Sequence, residues 1–122
     1  MANPNGRKGA AFELDVLKWL RSQGVGAERL RLSGPGKDEG DIVAIVAGQT
    51  FILELKNRKS ISLGEFWAEA VAEAKNYAKA RGLAELPPAY VIVKRRNHSI
   101  EDSFVIQDLG QWLETAKGNS GT

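Results

Sequence analysis

The stretch EGDIVAIVAGQTFILELKN, residues 39–57, holds two hydrophobic runs joined by a Gly-Gln turn. Residues 41–47 and 50–57 are apolar on both faces, which is typical of adjacent strands in a sheet that is covered on both sides. Asp41, Glu54 and Lys56 nevertheless lie at the outer ends of these runs. A buried hairpin has no structural need for three charges at its ends, so these residues are the first candidates for a functional site.

The alternation of side chains along a strand puts Glu54 and Lys56 on the same face of the sheet. If residues 48–49 form a two-residue turn, Val43 faces Glu54 and Asp41 faces Lys56. Asp41 and Glu54 are then diagonal neighbours, about 7–8 Å apart between their Cα atoms. A divalent cation fits between two such carboxylates, since metal–oxygen distances are about 2.0–2.6 Å.

A further acid lies on the apolar side of the first predicted helix, residues 9–23. Glu13 falls within the stripe formed by the hydrophobic positions of this helix, which are Phe12, Val16, Leu17 and Leu20. An acid on a buried helix face is costly unless a cation meets it. If this helix packs on the face that bears Asp41 and Glu54, Glu13 supplies a third oxygen ligand.

These side chains suit metal-assisted hydrolysis of a phosphodiester. Asp41, Glu54 and Glu13 would hold one or two hard cations, Mg²⁺ or Mn²⁺. Lys56 would orient the attacking water, help to deprotonate it, or stabilise the developing negative charge. The chain has no cysteine and one histidine, which disfavours zinc. The structural alternative is that Asp41 merely starts a strand and that Glu54 and Lys56 form an ion pair.

The remaining elements predict an α/β domain with a mixed sheet flanked by helices, in the order α-β-β-β-α-β-β-α. We expect strands at 28–33, 89–94 and 104–107, a long amphipathic helix at 63–81, and a last helix capped by Asp108 and ending near residue 117. The 122 residues form a single domain, with a flexible basic arm at 1–8 and a disordered tail at 118–122. No apolar segment of signal-peptide or membrane-span length is present, which is compatible with a cytoplasmic protein.

The charged residues are nearly balanced overall, 17 basic against 15 acidic, but they are clustered along the chain. Basic residues gather at the ends of two predicted strands, where they would contact a phosphate backbone or would simply be solvated. The candidates for DNA contact in these runs are Arg58, Lys59, Lys94, Arg95 and Arg96. The three tryptophans lie in predicted helices and are expected in the core or at an oligomer interface.

Several of these motifs, in this order, resemble the PD-(D/E)XK nuclease superfamily, and within it the archaeal-type Holliday junction resolvases. The similarity covers about the first half of the chain and includes the segments around Glu13, Asp41-Ile42-Val43 and Glu54-Leu55-Lys56. It implies a restriction-endonuclease-like fold, a homodimer, and Mg²⁺- or Mn²⁺-dependent cleavage of four-way DNA junctions by paired nicks. A short gene of this kind would also suit a phage or another mobile element.

The resemblance further implies roles for individual residues. Asp41, Glu54 and Glu13 would be metal ligands, and Lys56 would be the catalytic lysine. Residues that would bind or position the DNA backbone are Arg7, Lys8, Arg31 and Ser33. Two other functions stay open: a nuclease of this fold that acts on other DNA (restriction, nicking in repair, or exonuclease activity), and a non-catalytic DNA-binding module.

Overall fold

The computed structural model describes residues 4–30 and 41–118, with side chains from residue 11 onward. Three helices and five strands follow one another in the predicted order α-β-β-β-α-β-β-α. They are α1 (Pro4–Ser22), β1 (Gly26–Arg29), β2 (Asp41–Val46), β3 (Gln49–Lys56), α2 (Leu63–Arg81), β4 (Ala89–Val93), β5 (Phe104–Ile106) and α3 (Leu109–Gly118). A short 3₁₀ helix, Ile100–Asp102, precedes β5. No described helix is both long enough and apolar enough to cross a membrane.

The five strands form one mixed sheet in the order β1-β2-β3-β4-β5. The pair β3–β4 is parallel and the other three pairs are antiparallel. A parallel pair needs a long crossover connection, and α2 supplies it between β3 and β4. The predicted fold class, a mixed sheet flanked by helices as in restriction endonucleases, is therefore confirmed.

Each face of the sheet is covered by a different helix. On one face, Phe12, Val16 and Leu17 of α1 pack in a core cluster with the strand residues Ile42, Ala44, Leu53, Leu55 and Ile92. On the other face, Phe66, Ala70 and Ala74 of α2 pack with Ile52, Ala89, Val91 and Val93. Burial on both faces explains why β2 and β3 are almost continuously apolar.

The hairpin between β2 and β3 turns at Ala47-Gly48, so the predicted turn at residues 48–49 was wrong. Ala47 has φ 51° and Gly48 has φ 78°. Positive φ at both central residues is the requirement of a type I′ turn, whose twist matches that of the flanking strands. As a result Asp41 lies directly opposite Glu54, not opposite Lys56, and Val43 lies opposite Ile52.

The ends of several elements differ from the prediction. Helix α1 begins at Pro4, so residues 4–8, predicted as a flexible arm, form its first turns; proline suits a first helical position because its φ is already helical. Strand β1 spans Gly26–Arg29, not 28–33, and residues 31–33 and 119–122 lie outside the described part of the chain. The predicted cap of α3 is confirmed, since Asp108 Oδ1 accepts a hydrogen bond from Gln111 N at 2.7 Å.

Candidate active site

Three carboxylates converge at the edge of the sheet where β2 begins and β3 ends. Asp41 and Glu54 are cross-strand partners, and Glu73 reaches them from α2. Each of the three offers an oxygen atom, and these oxygens all lie within 4.8 Å of one another. All three residues are buried, with no more than 5% of their surface exposed. A group of buried acids at this separation needs a proton or a cation to offset its charge.

The packing of α2 brings Glu73 to the strands. Glu54 lies on the same face as Ile52 because side chains alternate along β3, and α2 covers that face. The residues of α2 that contact the sheet are small at Ala70 and Ala74, which lets the helix backbone approach closely. Glu73 lies between these two alanines on the same side of the helix. The acid of α2 is thereby held against the ends of two strands.

Burial dominates the electrostatics of Glu54. Removal from water raises the pKa of its carboxyl group, while a hydrogen bond with the Asp41 carboxyl and the charge of Lys56 act to lower it. The charges of Glu73 and Glu69 raise it further, and the net pKa lies above the ordinary value of 4.5. The Oε2 atom of Glu54 is buried and accepts no hydrogen bond within the described part of the chain. This oxygen atom is therefore one that a cation could contact.

The three carboxylates fit a hard divalent cation. Two ligand oxygens on opposite sides of Mg²⁺ or Mn²⁺ are separated by about twice the metal–oxygen distance of about 2.0–2.4 Å. One oxygen from each of Asp41, Glu54 and Glu73 can therefore reach a single ion placed among them. Oxygen-only ligands also match the preference of these ions, and water would complete the coordination.

Lys56 is held in the same buried site. Its Nζ atom lies 3.5 Å from Glu54 Oε1 and 2.5 Å from Glu69 Oε2. The lysine side chain is 2% exposed, whereas that of Glu69 is 50% exposed, so the ammonium group lies just under the surface. The Phe66 ring lies on one side of the Lys56 ammonium group, with its centroid 5.2 Å from Nζ. A buried ammonium needs such partners, and these fix its position beside the carboxylates.

Glu13 lies on the other side of the sheet from this acidic group. The core residues of α1 pack on the face opposite to Glu54, so the condition for Glu13 to join Asp41 and Glu54 by helix packing is not met. Glu13 Oε1 instead forms an ion pair with Arg29 Nε at 2.7 Å, and the Glu13 side chain is 13% exposed. The buried acid does have a cationic partner, as expected, but its role as a metal ligand stays a prediction.

Glu73 was missed in the sequence, although a signal for it was present. It falls within the stripe Phe66, Ala70, Ala74 and Tyr77, at helical spacing from the buried positions. Like Glu13, Glu73 is an acid on an apolar helix face, where a buried charge is costly without a partner. The alanine- and glutamate-rich composition of α2 hides this acid among the exposed glutamates of the same helix.

The predicted DNA-contacting residues lie at different places in the fold. Lys59 is exposed, and the guanidinium carbon of Arg58 lies 5.8 Å from the centroid of the Phe66 ring beside the site. Lys94 is half-buried at the end of β4, and Arg95 stacks on Phe104 at 4.8 Å. Arg7 and Lys8 belong to α1, with side chains outside the described part of the structure, and Arg31 and Ser33 lie outside it altogether.

A mixed sheet with this element order, and with acids and a lysine at the ends of a central hairpin, is consistent with the restriction-endonuclease-like fold. The sequence profile described as archaeal Holliday junction resolvase (Hjc) matches residues 4–82, well over half of the chain. The chain therefore belongs to the archaeal Holliday junction resolvase family, which makes it a nuclease of the resolvase type. No curated protein and no solved structure matches the chain.

Proposed function

We propose that this protein is an Mg²⁺- or Mn²⁺-dependent endonuclease that resolves four-way DNA junctions by hydrolysing phosphodiester bonds. The observation that carries the proposal is the buried group of Asp41, Glu54 and Glu73 next to Lys56, in a chain of the resolvase family. Asp41, Glu54 and Glu73 would hold the cation. The cation would supply a water of lowered pKa and would offset the negative charge that develops on the phosphate.

Lys56 acts in this proposal as a positioned hydrogen-bond donor. In hydrolysis, a water oxygen bonds to phosphorus and gives up a proton to solvent. The bond from phosphorus to one bridging oxygen breaks, and that oxygen leaves as a hydroxyl group after taking up a proton from solvent. The Lys56 ammonium already lies beside Glu54 and Glu69, which supports a role in orienting that water or stabilising the charge on the phosphate oxygens. The open surface beside Glu69 is the side from which the DNA backbone would reach Lys56.

Glu13 completes the site in the resemblance to the family, and we propose that it acts from α1 at the edge where β2 begins. Its partner Arg29 pairs in the sheet with Ile42, the neighbour of Asp41.

We further propose that four residues contact the scissile phosphate: Arg7, Lys8, Arg31 and Ser33. Because DNA is the substrate, we propose that the protein acts in the cytoplasm, as a phage-encoded resolvase in its host would.

We also propose that the protein works as a homodimer, because two nicks in opposite strands of a junction require two active sites. The candidate surface is the apolar stripe of α3, which consists of Leu109, Trp112 and Leu113. These residues follow i, i+3, i+4 spacing, so they share one helix face, and all three are exposed. Strand β5 forms the adjacent sheet edge and exposes Phe104 and Val105. Exposed apolar patches of this kind are typical of interfaces.

A cleavage assay tests the proposed activity. The protein is incubated with a synthetic four-way junction, linear duplex or single-stranded DNA, in Mg²⁺ or EDTA. Asp41→Asn is compared with Asp15→Asn, the same change at an exposed position of α1. Paired nicks in the junction, lost in EDTA and in Asp41→Asn but kept in Asp15→Asn, support a resolvase. Cleavage of linear duplex or free ends would indicate a nuclease acting on other DNA, and binding without cleavage a non-catalytic module.

A further inference from the structure

We propose that a basic pocket, at the edge of the sheet where β3 and β4 end, binds one phosphate of the DNA backbone near the scissile bond. The basic pocket is lined by Asn57, Lys94, Arg96 and Asn97. The inference rests on the proposed junction-cleaving function and adds to it a second contact point for the same DNA strand. It also separates the roles of three consecutive basic residues, Lys94, Arg95 and Arg96.

The basic pocket can admit a phosphate group, and its described lining suits an anion. Its volume is 290 Å³, enough for a phosphate group with part of its hydration, since one water occupies about 30 Å³. Among the lining residues that the structure describes, the two charged side chains, Lys94 and Arg96, are basic, and Asn57 and Asn97 carry amides that can donate hydrogen bonds. A phosphodiester oxygen accepts hydrogen bonds and carries negative charge, so this lining is complementary to it.

The basic pocket is attached directly to the strand that carries the catalytic lysine. Asn57 follows Lys56 in the chain, and the backbone N–H of Lys94 donates a hydrogen bond to Lys56 O at 3.0 Å. Strands β3 and β4 run parallel, so both end at this edge of the sheet. Ligands of open α/β sheets bind at the carboxyl ends of parallel strands. Lys56 and the basic pocket therefore lie at the same edge of the sheet, where one DNA strand could contact both.

The turn after β4 places Arg95 and Arg96 in different environments. His98 N donates to Arg95 O at 3.3 Å, which closes a four-residue turn, and Asn97 occupies the left-handed region with φ 63°. The guanidinium of Arg95 stacks on Phe104 and lies 3.3 Å from His98 Nε2. Arg95 thus braces the turn, while Arg96 at the turn's first central position lines the basic pocket. Asparagine adopts positive φ more readily than most residues, which suits it to this position.

Salt-dependent binding tests the basic pocket without relying on cleavage. The affinity for a synthetic four-way junction is measured in EDTA over a range of salt concentrations for Lys94→Gln, Arg96→Gln and Lys75→Gln. Lys75 is an exposed lysine of α2 and serves as a matched control for the loss of one charge. We expect Lys94→Gln and Arg96→Gln each to weaken binding and to reduce the slope of log K against log salt by about 1, the value for one lost phosphate contact. Lys75→Gln should leave the slope unchanged.

Replacing single phosphates by uncharged methylphosphonates locates the contact. In the wild type, one neutral linkage near the cleaved bond should weaken binding, and in Arg96→Gln the same linkage should have no further effect. The proposal would be overturned if Arg96→Gln and Lys75→Gln gave equal slopes of log K against log salt. It would also be overturned if every neutral linkage weakened binding by Arg96→Gln as much as it weakens binding by the wild type. This test does not depend on cleavage. Even if the wild type binds junctions without cleaving them, the effect of a neutral linkage can still be compared between the wild type and Arg96→Gln.

Discussion

The buried carboxyl group of Glu54 affects the stability of the fold in a pH-dependent way. Its pKa in the folded protein is raised, first by burial, so the folded state holds a proton on this group more tightly than the unfolded chain does. The corresponding stability is complete below the ordinary pKa of 4.5 and is lost as the pH rises through the raised pKa. At neutral pH the metal-free protein therefore contains an acid that disfavours the native state, and a bound cation would relieve this cost.

We predict that Glu54→Gln raises the melting temperature of the metal-free protein at pH 8 and that this gain shrinks toward pH 4. Glutamine keeps the shape of the side chain but carries no charge, so the penalty for the buried charge disappears. Thermal unfolding in EDTA from pH 4 to pH 8 measures the difference between the two proteins. Added Mg²⁺ or Mn²⁺ should stabilise the wild type more than Glu54→Gln. A variant that is less stable than the wild type at pH 8 would contradict the prediction.

Glu73 is predicted to bind the metal together with Asp41 and Glu54. Glu73→Gln removes one ligand charge, and we expect it to weaken Mn²⁺ binding by about tenfold or more, as loss of metal-site groups generally does. Isothermal titration with Mn²⁺ in the absence of DNA measures this directly. Glu65→Gln, at an exposed position in the first turn of α2, is the matched control and should bind as the wild type does. Unchanged affinity in Glu73→Gln would remove Glu73 from the site.

At the scale of elements, the sequence predicted those features that depend on local chemistry. The limits of α2 agree with the prediction because Gly82, at φ 64°, ends the helix and its N–H bonds to Ala78 O and Lys79 O. Asp108 caps the start of α3 through an equally local contact, the hydrogen bond that its Oδ1 accepts from Gln111 N. The contribution of Glu73 depends instead on which helix covers which face of the sheet. That arrangement is decided by tertiary packing, and helical periodicity alone does not show it.

The hairpin register was mispredicted because it depends on an unusual backbone conformation. Alanine rarely adopts positive φ, so Gly48-Gln49 was the more natural turn than Ala47-Gly48. The observed register brings the two acids closer, since direct cross-strand partners lie nearer to each other than diagonal ones. The turn that brings Asp41 and Glu54 together has two residues with positive φ, and only one of them, Gly48, is of a type that favours this conformation.

The turn can be tested by making its sequence fit its conformation. Ala47→Asn creates the Asn-Gly pair that type I′ turns favour, and we expect it to stabilise the protein by roughly 1 kcal/mol, the approximate cost of left-handed alanine. Gln49→Asn is the matched control. Gln49 is the first residue of β3 and pairs with Val46, so asparagine there should give no gain. Urea unfolding measures the free energy of unfolding of both variants. A larger gain for Gln49→Asn than for Ala47→Asn would instead favour the turn at residues 48–49.

At the scale of the whole molecule, the family match and the apolar surface occupy different parts of the chain. The match ends at residue 82, so it includes every member of the acidic group and Lys56 but excludes β4, β5 and α3. The basic pocket draws on both parts, since Asn57 lies within the match and Lys94 beyond it. Helix α3, in the unmatched part, has no buried residue although it is amphipathic. A helix with an uncovered apolar face is poorly stabilised alone, which argues for a partner.

We predict that the apolar stripe of α3 holds two copies of the chain together. Light scattering should give the wild type twice the monomer mass of 13.3 kDa, and Leu109→Glu with Leu113→Glu should give a monomer. Both leucines are exposed, 78% and 45%, so circular dichroism should show an intact fold. Ile61→Glu, at another exposed apolar position, is the control and should stay dimeric.

The same dimer variants connect the interface to the reaction. A monomer keeps its acidic group and Lys56 but presents only one active site to a junction, so it should nick one strand at a time. A supercoiled cruciform plasmid distinguishes the two outcomes, because paired nicks linearise it and single nicks only relax it. We therefore expect linear product from the wild type and from Ile61→Glu, and relaxed circles from the double variant of α3. A wild type that is monomeric while still linearising the plasmid would show that paired cleavage does not depend on this surface.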